Sequence, residues 1–281
     1  MTGTRAPKER PATPPADTQR PASPPAAPAS DPCHTGRPAP PPAVPRHTPA
    51  AFTGARPLRP GGAIDAHRHD DHQIAYPRTG VISVTTDAGT WVAAGDRALW
   101  IPAGTVHEHR AYGRTDLHLI GLTDNPLGLL RPTLLAVTPL VRELIVTCSQ
   151  EPGDPLARAL LLSRLRPSPG RPVHLPAPRD PRLAAVLALL DADPSDPRPL
   201  AGFALAAGTS ERTLTRLCRD ELGMTFPQWR TRLRLHHALV LLADGAPVTT
   251  VAHRCGWSSA SAFIDVYRRA FGHTPGRAFT K

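Results

Sequence analysis

Hydrophobic positions change their spacing three times along this chain. Up to residue 57 there is almost no pattern: Pro, Ala, Thr and Arg dominate, and residues able to build a core are nearly absent. Such a stretch cannot bury enough apolar surface to offset the entropy of ordering it. Residues 1–57 are therefore expected to form a disordered, Pro-rich tail. From 58 to 124 short runs rich in β-branched and aromatic residues take over. Gln73–Tyr76, Val81–Thr86, Trp91–Ala93, Ala98–Ile101, Val106–His109 and Leu117–Ile120 read as strands, with turns at Asp87–Gly89 and Ala94–Asp96. Many short strands at regular spacing predict a small β-barrel or sandwich.

Between 125 and 179 the apolar spacing becomes helical, at Leu140–Val146 and Leu156–Leu165. These helices serve either as a dimer seam or as packing against the barrel. A proline-punctuated linker follows, with a short strand at Val173–Leu175. From 180 to 281 the chain reads as helical throughout. Asp180 opens a helix whose first turn carries Pro181, a favourable place for proline. Next come Leu200–Gly208 and a Ser-started helix, Ser210–Leu222. A connecting helix runs from Pro227 to about Ala243, and then Val248–Gly256 and Ser258–Phe271 repeat the pair. A short helix, a Gly turn and a Ser-capped second helix are the sequence form of a helix-turn-helix, here present twice. The expected class is α+β: a β-barrel followed by an all-α domain with two helix-turn-helix units.

Composition adds a direction. The formal net charge is +10, carried almost wholly by arginine, since Lys8 and Lys281 are the only lysines. Arginine-rich helices point to nucleic acid as a partner, although a GC-rich genome also inflates Arg, Ala, Pro and Gly together. Cys33, Cys148, Cys218 and Cys255 show no Cys-x-x-Cys spacing. That is a reduced, cytoplasmic pattern with no disulfide framework or zinc knuckle. No apolar leader and no long apolar run are present, so neither secretion nor a membrane partner is expected.

Individual residues sharpen the reading. In the first unit Leu214 and Leu217 point inward, leaving Arg212, Thr215, Arg216 and Arg219 on the outer face. Arginine reads guanine bidentately or neutralises phosphate. Arg212 and Arg216, four residues apart, are the expected base readers, and Arg219 the phosphate contact. In the second unit Phe263, Val266, Tyr267 and Phe271 point inward. Ser258 or Ser259 caps the helix, Ala260, Ser261 and Asp265 lie toward the groove, and Arg268 and Arg269 suit phosphate. Arg230, Arg232 and Arg234 are expected on a solvated or phosphate-facing side of the connecting helix.

In the strand region, His67-x-His69 puts two imidazoles on one face of a strand. Gln73, Gly80 and the run Pro102-Ala-Gly104-Thr-Val-His107 follow. This spacing resembles the two cupin motifs over about fifty residues, which implies a jelly-roll barrel with a small molecule or metal inside. Three imidazoles suit a divalent transition metal. Gln73 stands where that motif usually carries Glu, so the alternative is a pocket for an organic effector, lined by His67, His69, Gln73 and His107. His72 and His109 are expected to face solvent or neighbouring strands.

Gly256-Trp-Ser-Ser-Ala-Ser-Ala-Phe263, Tyr267-Arg268 and Phe271-Gly-His-Thr-Pro275 resemble the C-terminal signature of AraC-type transcription regulators. Ser210–Leu217 and Leu222–Phe226 match their first helix-turn-helix. The resemblance covers about the last hundred residues. It implies groove-facing roles for Arg212, Thr215 and Arg216, and for Ala260, Ser261 and Asp265. Asp265 departs from the basic or polar residue common there.

The implied function is a sequence-specific DNA-binding transcription regulator controlled by a small-molecule effector, not an enzyme. Its partners are double-stranded promoter DNA and that effector, with RNA polymerase and a second copy of the chain as further partners this organisation allows. A cupin-type metal-dependent enzyme with accessory DNA binding is the alternative, which Gln73 disfavours. A structural or repair-linked DNA module is a third, which the sensor-like barrel disfavours. The expected domains are the tail at 1–57, the cupin-like sensor barrel at 58–124, the helical linker segment at 125–179 and the DNA-binding domain at 180–281.

Overall fold

The computed structural model describes residues 1–3, 45–168 and 174–278. Most of the expected Pro-rich tail, including Cys33, lies outside the described residues. From Ala43 onward the chain forms one compact unit, and the fold is that of this unit.

Nine strands among the described residues join in one sheet: β1 (Arg46–Thr48), β2 (Gly54–Leu58), β3 (Ala63–His69), β4 (His72–Thr86), β5 (Gly89–Ala94), β6 (Arg97–Ile101), β7 (His107–Leu122), β8 (Thr133–Ala136) and β9 (His174–Pro176). The antiparallel pair β4 and β7 is the spine. One half of β4 pairs with β6 (Gln73 with Ile101) and the other half with β5 (Val81 with Ala94). Register shifts between Pro77 and Val81 separate the two halves. Gly80 sits at this break with φ +75°, and a Cβ there would lie 2.7 Å from the Arg114 carbonyl. Only glycine fits both the backbone and the space.

Two differences from the expected organisation follow. Gln73–Tyr76 and Val81–Thr86 are one bulged strand, as are the runs at 107–109 and 117–120. The break shifts the alternation of side chains without ending backbone pairing. Residues 46–48 and 54–57, assigned to the tail, belong to strands: β1 pairs with β3 and β2 with β7. Both are mostly polar or exposed, so they are held by backbone hydrogen bonds and not by an apolar face.

Alternation sorts the barrel side chains. Ala75, Ile82, Val84, Trp91, Leu99, Ile101, Leu117 and Leu119 form one apolar cluster. Ile74, Tyr76, Trp100 and Ile120 belong to another, closed by α1 (Pro139–Gln150) and α2 (Pro155–Arg164) through Val141, Ile145, Cys148 and Leu161. The first helix is further fixed by His118, whose Nδ1 lies 2.7 Å from the Ser149 hydroxyl.

The helical half comprises α3 (Pro181–Ala192), α4 (Leu200–Ala206), α5 (Glu211–Leu222), α6 (Phe226–Ala243), α7 (Val248–Arg254), α8 (Ala260–Phe271) and α9 (Pro275–Ala278). Asp180 caps α3, Ser210 caps α5 and Ser259 caps α8. Thr225 and Gln228 close a capping box on α6. Phe203, Leu214, Leu217, Phe226 and Trp229 build the core of the first unit with α3. The second unit packs Val251, Phe263, Tyr267 and Phe271 on the far end of α6. That cluster continues into Val81 and Val92 of the barrel. Cys148, Cys218 and Cys255 are free and buried, and burial raises each thiol pKa, so all three are unreactive core residues. No helix among the described residues is long and apolar enough to cross a membrane.

Candidate functional site

Two places in the molecule carry chemistry, and the first is the exposed face of α5 and α8. Gly208 turns the chain with φ +61° and Gly256 does the same in the second unit with φ +77°. The Ser210 hydroxyl accepts from Thr213 N at 3.1 Å, and the Ser259 hydroxyl from Ala262 N at 3.1 Å. Both serines thus start their helices. With Leu214 and Leu217 buried, Arg212, Arg216 and Arg219 are exposed and Thr215 is half-buried. On α8, Phe263, Tyr267 and Phe271 are buried, Ser261, Asp265 and Arg268 are exposed, and Ala260 is half-buried.

Each helix also carries an acid that holds its own arginine. Arg216 pairs with Asp220 at 3.2 Å, one turn along α5. Arg268 pairs with Asp265 at 3.2 Å on α8. All four side chains are more than half exposed, so these pairs are worth little and break readily.

The arginines of α6 are not on a free surface. Arg230 donates to the carbonyls of Asp196 and Arg198, and Arg234 donates to that of Pro194 at 2.9 Å. Arg232 donates to the His174 carbonyl at 3.3 Å. The expectation of a solvated or phosphate-facing row is therefore corrected. The α3–α4 loop leaves carbonyls without helical partners, and the guanidinium groups of Arg230 and Arg234 satisfy them. Gly256 is part of this packing, since a Cβ there would lie 2.8 Å from the Ser195 Cα.

The second place is the histidine cluster of the barrel. His67 and His69 come from β3 and His107 from the start of β7, and His67 and His107 are register partners. The ring centroids lie 4.3 Å apart for His67 and His107, 5.0 Å for His69 and His107, and 5.8 Å for His67 and His69. One ligand nitrogen from each falls within 4.8 Å of the others. Each Nδ1 contacts a backbone carbonyl: His67 with Asp65 at 2.8 Å, His69 with Asp71 at 2.7 Å and His107 with Thr105 at 2.8 Å. A carbonyl only accepts, so in the neutral ring each Nδ1 carries the proton and leaves Nε2 as the lone-pair nitrogen. The Nε2 atoms of His69 and His107 are buried and have no hydrogen-bond partner. Burial pushes His107 down to about 3, and it also lowers His67, so both rings are neutral at pH 7.

Gln73 is buried, with Nε2 3.4 Å from the Phe52 carbonyl and Oε1 unpartnered. His72 is half-exposed as expected, its Nδ1 accepting from Ala103 N at 3.0 Å beside Trp100. His109 departs from expectation. It is buried with the cluster, 5.1 Å from His107 between ring centroids. Positions two apart on a strand share a face, so the spacing from His107 already carried this signal.

A family model for a helix-turn-helix domain matches residues 203–281, and a cupin-domain model matches residues 57–122. The HTH-type transcriptional regulator NimR of Escherichia coli (strain K12) is 32% identical over 221 residues, covering 75% of this chain and 80% of that protein. A putative AraC-like transcription regulator of Streptomyces antibioticus is 33% identical over 98 residues, 34% of this chain and 32% of that one. The chain belongs to the AraC-type transcription regulators. Among solved structures, an AraC-type regulator from Chromobacterium violaceum is similar at 30% identity and a TM-score of 0.34, covering 35% of this chain and 89% of that one. As an AraC-type regulator with a cupin domain, the chain is a DNA-binding transcription regulator and not an enzyme. The seam between its two halves had no local sequence signal: Arg97 donates to the Ala270 carbonyl, and Gly113 N donates to Asp244 Oδ1 at 3.0 Å.

Proposed function

We propose that this AraC-type regulator places α5 and α8 in successive major grooves of promoter DNA, under control of a small molecule bound in the barrel. The carrying observation is the exposed face of each reader helix: Arg212, Thr215 and Arg216 on α5, and Ala260, Ser261 and Asp265 on α8. Ser210 and Ser259 fix the helix starts, while Arg219 and Arg268 contact phosphate. α6, with 18 residues, spans about 27 Å at 1.5 Å per residue. That length suits two helices entering one face of the duplex about one turn apart.

The barrel residues fit a divalent transition metal. Three histidines whose ligand nitrogens lie within 4.8 Å of one another, with each Nδ1 held by a backbone carbonyl, are the arrangement a metal-binding histidine cluster needs. His67, His69 and His107 would hold the ion, which would supply a Lewis-acidic position for the effector. Gln73 stands where the cupin motif usually carries its acid, and it offers only a neutral amide.

A second copy of the chain is supported by α1 and α2, where Leu140, Leu156 and Leu160 are 48%, 80% and 40% exposed. The setting is the cytoplasm, with RNA polymerase as the machinery acted upon. The test is recovery of genomic fragments bound by the purified protein, followed by a transcription reporter on the best fragment. Enrichment of a discrete site with two groove contacts about 10 base pairs apart is expected. Uniform recovery of all fragments would overturn the reading.

A further inference from the structure

The barrel holds a fourth histidine that neither the packing nor the triad uses. His109 is 1% exposed, and neither its Nδ1 nor its Nε2 has a partner. Such an imidazole has left water with one donor and one acceptor uncompensated, which native interiors tolerate where a ligand completes them. Its ring stacks on His67 at 6.0 Å and 26° and meets His107 edge-on at 5.1 Å. Unlike the other three, its Nδ1 is not tied to a backbone carbonyl. His109 therefore stands beside the triad with both nitrogens available.

Charge narrows what belongs there. Imidazoles hold a metal through a neutral ring, so the triad would bring no negative charge to it. The acids close in sequence are engaged or exposed. Asp70 pairs with His47, and Asp71 accepts from Ala51 N. Asp65 and Glu108 are exposed, Glu108 on the face of β7 opposite His107 and His109. Arg56 adds positive potential. A divalent ion held by this set keeps its whole charge in a buried place, which is costly until an anion joins it. Three protein donors also leave a coordination position open.

We propose that the effector is a small oxygen anion of the carboxylate class, which enters the open position on the metal and accepts a hydrogen bond from His109. This rests on the metal reading above. His109 is then the residue that sets anion affinity without holding the metal.

The experiment loads the full-length protein with Co(II) and follows its visible absorption during titration with acetate, with oxalate and with acetamide, a neutral analogue of acetate. One Co(II) per chain is expected, with a saturable spectral change for the two anions and none for acetamide. His109→Phe should keep the Co(II) stoichiometry and the anion-free spectrum, and raise the half-saturating anion concentration at least tenfold. His109→Gln, which retains an N–H donor, should recover part of that loss, and it carries the comparison by itself if His109→Phe does not fold. Stoichiometric Co(II) with no response to either anion, or unchanged anion affinity in both variants, overturns this inference alone. Loss of Co(II) from a folded His109 variant overturns it too, by making His109 a metal ligand. Failure of the wild type to take up Co(II) overturns the metal reading and this inference with it.

Discussion

Arg97 of the barrel donates to the carbonyl of Ala270 at 3.0 Å, gripping the C-terminal end of the second reader helix. The guanidinium side chain is only 7% exposed. It lies 5.1 Å from the centroid of the Phe271 ring, with Asp96 3.8 Å away. A helix C-terminus presents unpaired carbonyls and partial negative charge, so a buried cation is well placed there. Replacing Arg97 with Met leaves the carbonyl without its donor, and the expected cost is about 1–3 kcal/mol in urea unfolding. An unchanged midpoint would show that the grip contributes nothing.

The histidine triad makes a prediction about metal content. Purified wild-type protein should carry close to one equivalent of a divalent transition metal, measured by elemental analysis. The double variant His69→Ala, His107→Ala should carry almost none and keep its helical circular dichroism, because the apolar clusters of α3 to α8 include none of the triad. Metal-free wild-type protein that still responds to an effector would leave an organic-ligand pocket instead.

The seam also has a pH dependence. His236 on α6 faces Tyr112 of the barrel edge-on and neighbours His237 and Asp191. Burial pushes its pKa down from 6.5 to about 4, with a smaller contribution from His237. The unfolded chain takes up this proton below its ordinary pKa, whereas the folded chain resists until about 4. Stability is thus intact above pH 6.5 and is lost as pH falls from there toward 4. Between pH 7 and pH 5 the contribution is about 2 kcal/mol. His236→Phe should shrink the difference in unfolding free energy between those two pH values by that order. An identical pH slope in the variant would assign the effect to other groups.

Much of the reader domain was legible because its signals are local. Gly208, Ser210, Gly256 and Ser259 mark turns and caps, and Leu214, Leu217, Phe263 and Tyr267 fall at helical spacing. The triad was legible through the cupin-like spacing of His67-x-His69 and Pro102-x-Gly104-x-x-His107, since His107 lies far from the other two in sequence. What escaped depends on tertiary partners. Arg97 and Asp244 act on residues more than a hundred positions away. Arg230 and Arg234 read as a charged face until the carbonyls of the α3–α4 loop are brought against them. Strands β1 and β2 carry no apolar alternation, so their backbone pairing was invisible to periodicity.

The exposed leucines of the linker helices predict association. Leu156→Glu combined with Leu160→Glu should convert a concentration-dependent dimer to a monomer in sedimentation velocity, with an unchanged thermal transition at low concentration. Both side chains are exposed enough to accept the charge without entering the core. A wild type that is monomeric at all concentrations would remove this face as a dimer seam.

The two reader helices are tested most directly by base preference. Binding is measured against a randomised operator library at two salt concentrations for wild type, Arg216→Ala and Arg268→Ala. Arg216→Ala is expected to cost about 1–3 kcal/mol on the preferred operator and to relax preference at one position. Arg268→Ala should weaken all sequences by a similar factor and flatten the salt slope by about one unit. If Arg216→Ala instead lowers affinity evenly across the library with base preference intact, α5 is not the sequence-reading helix.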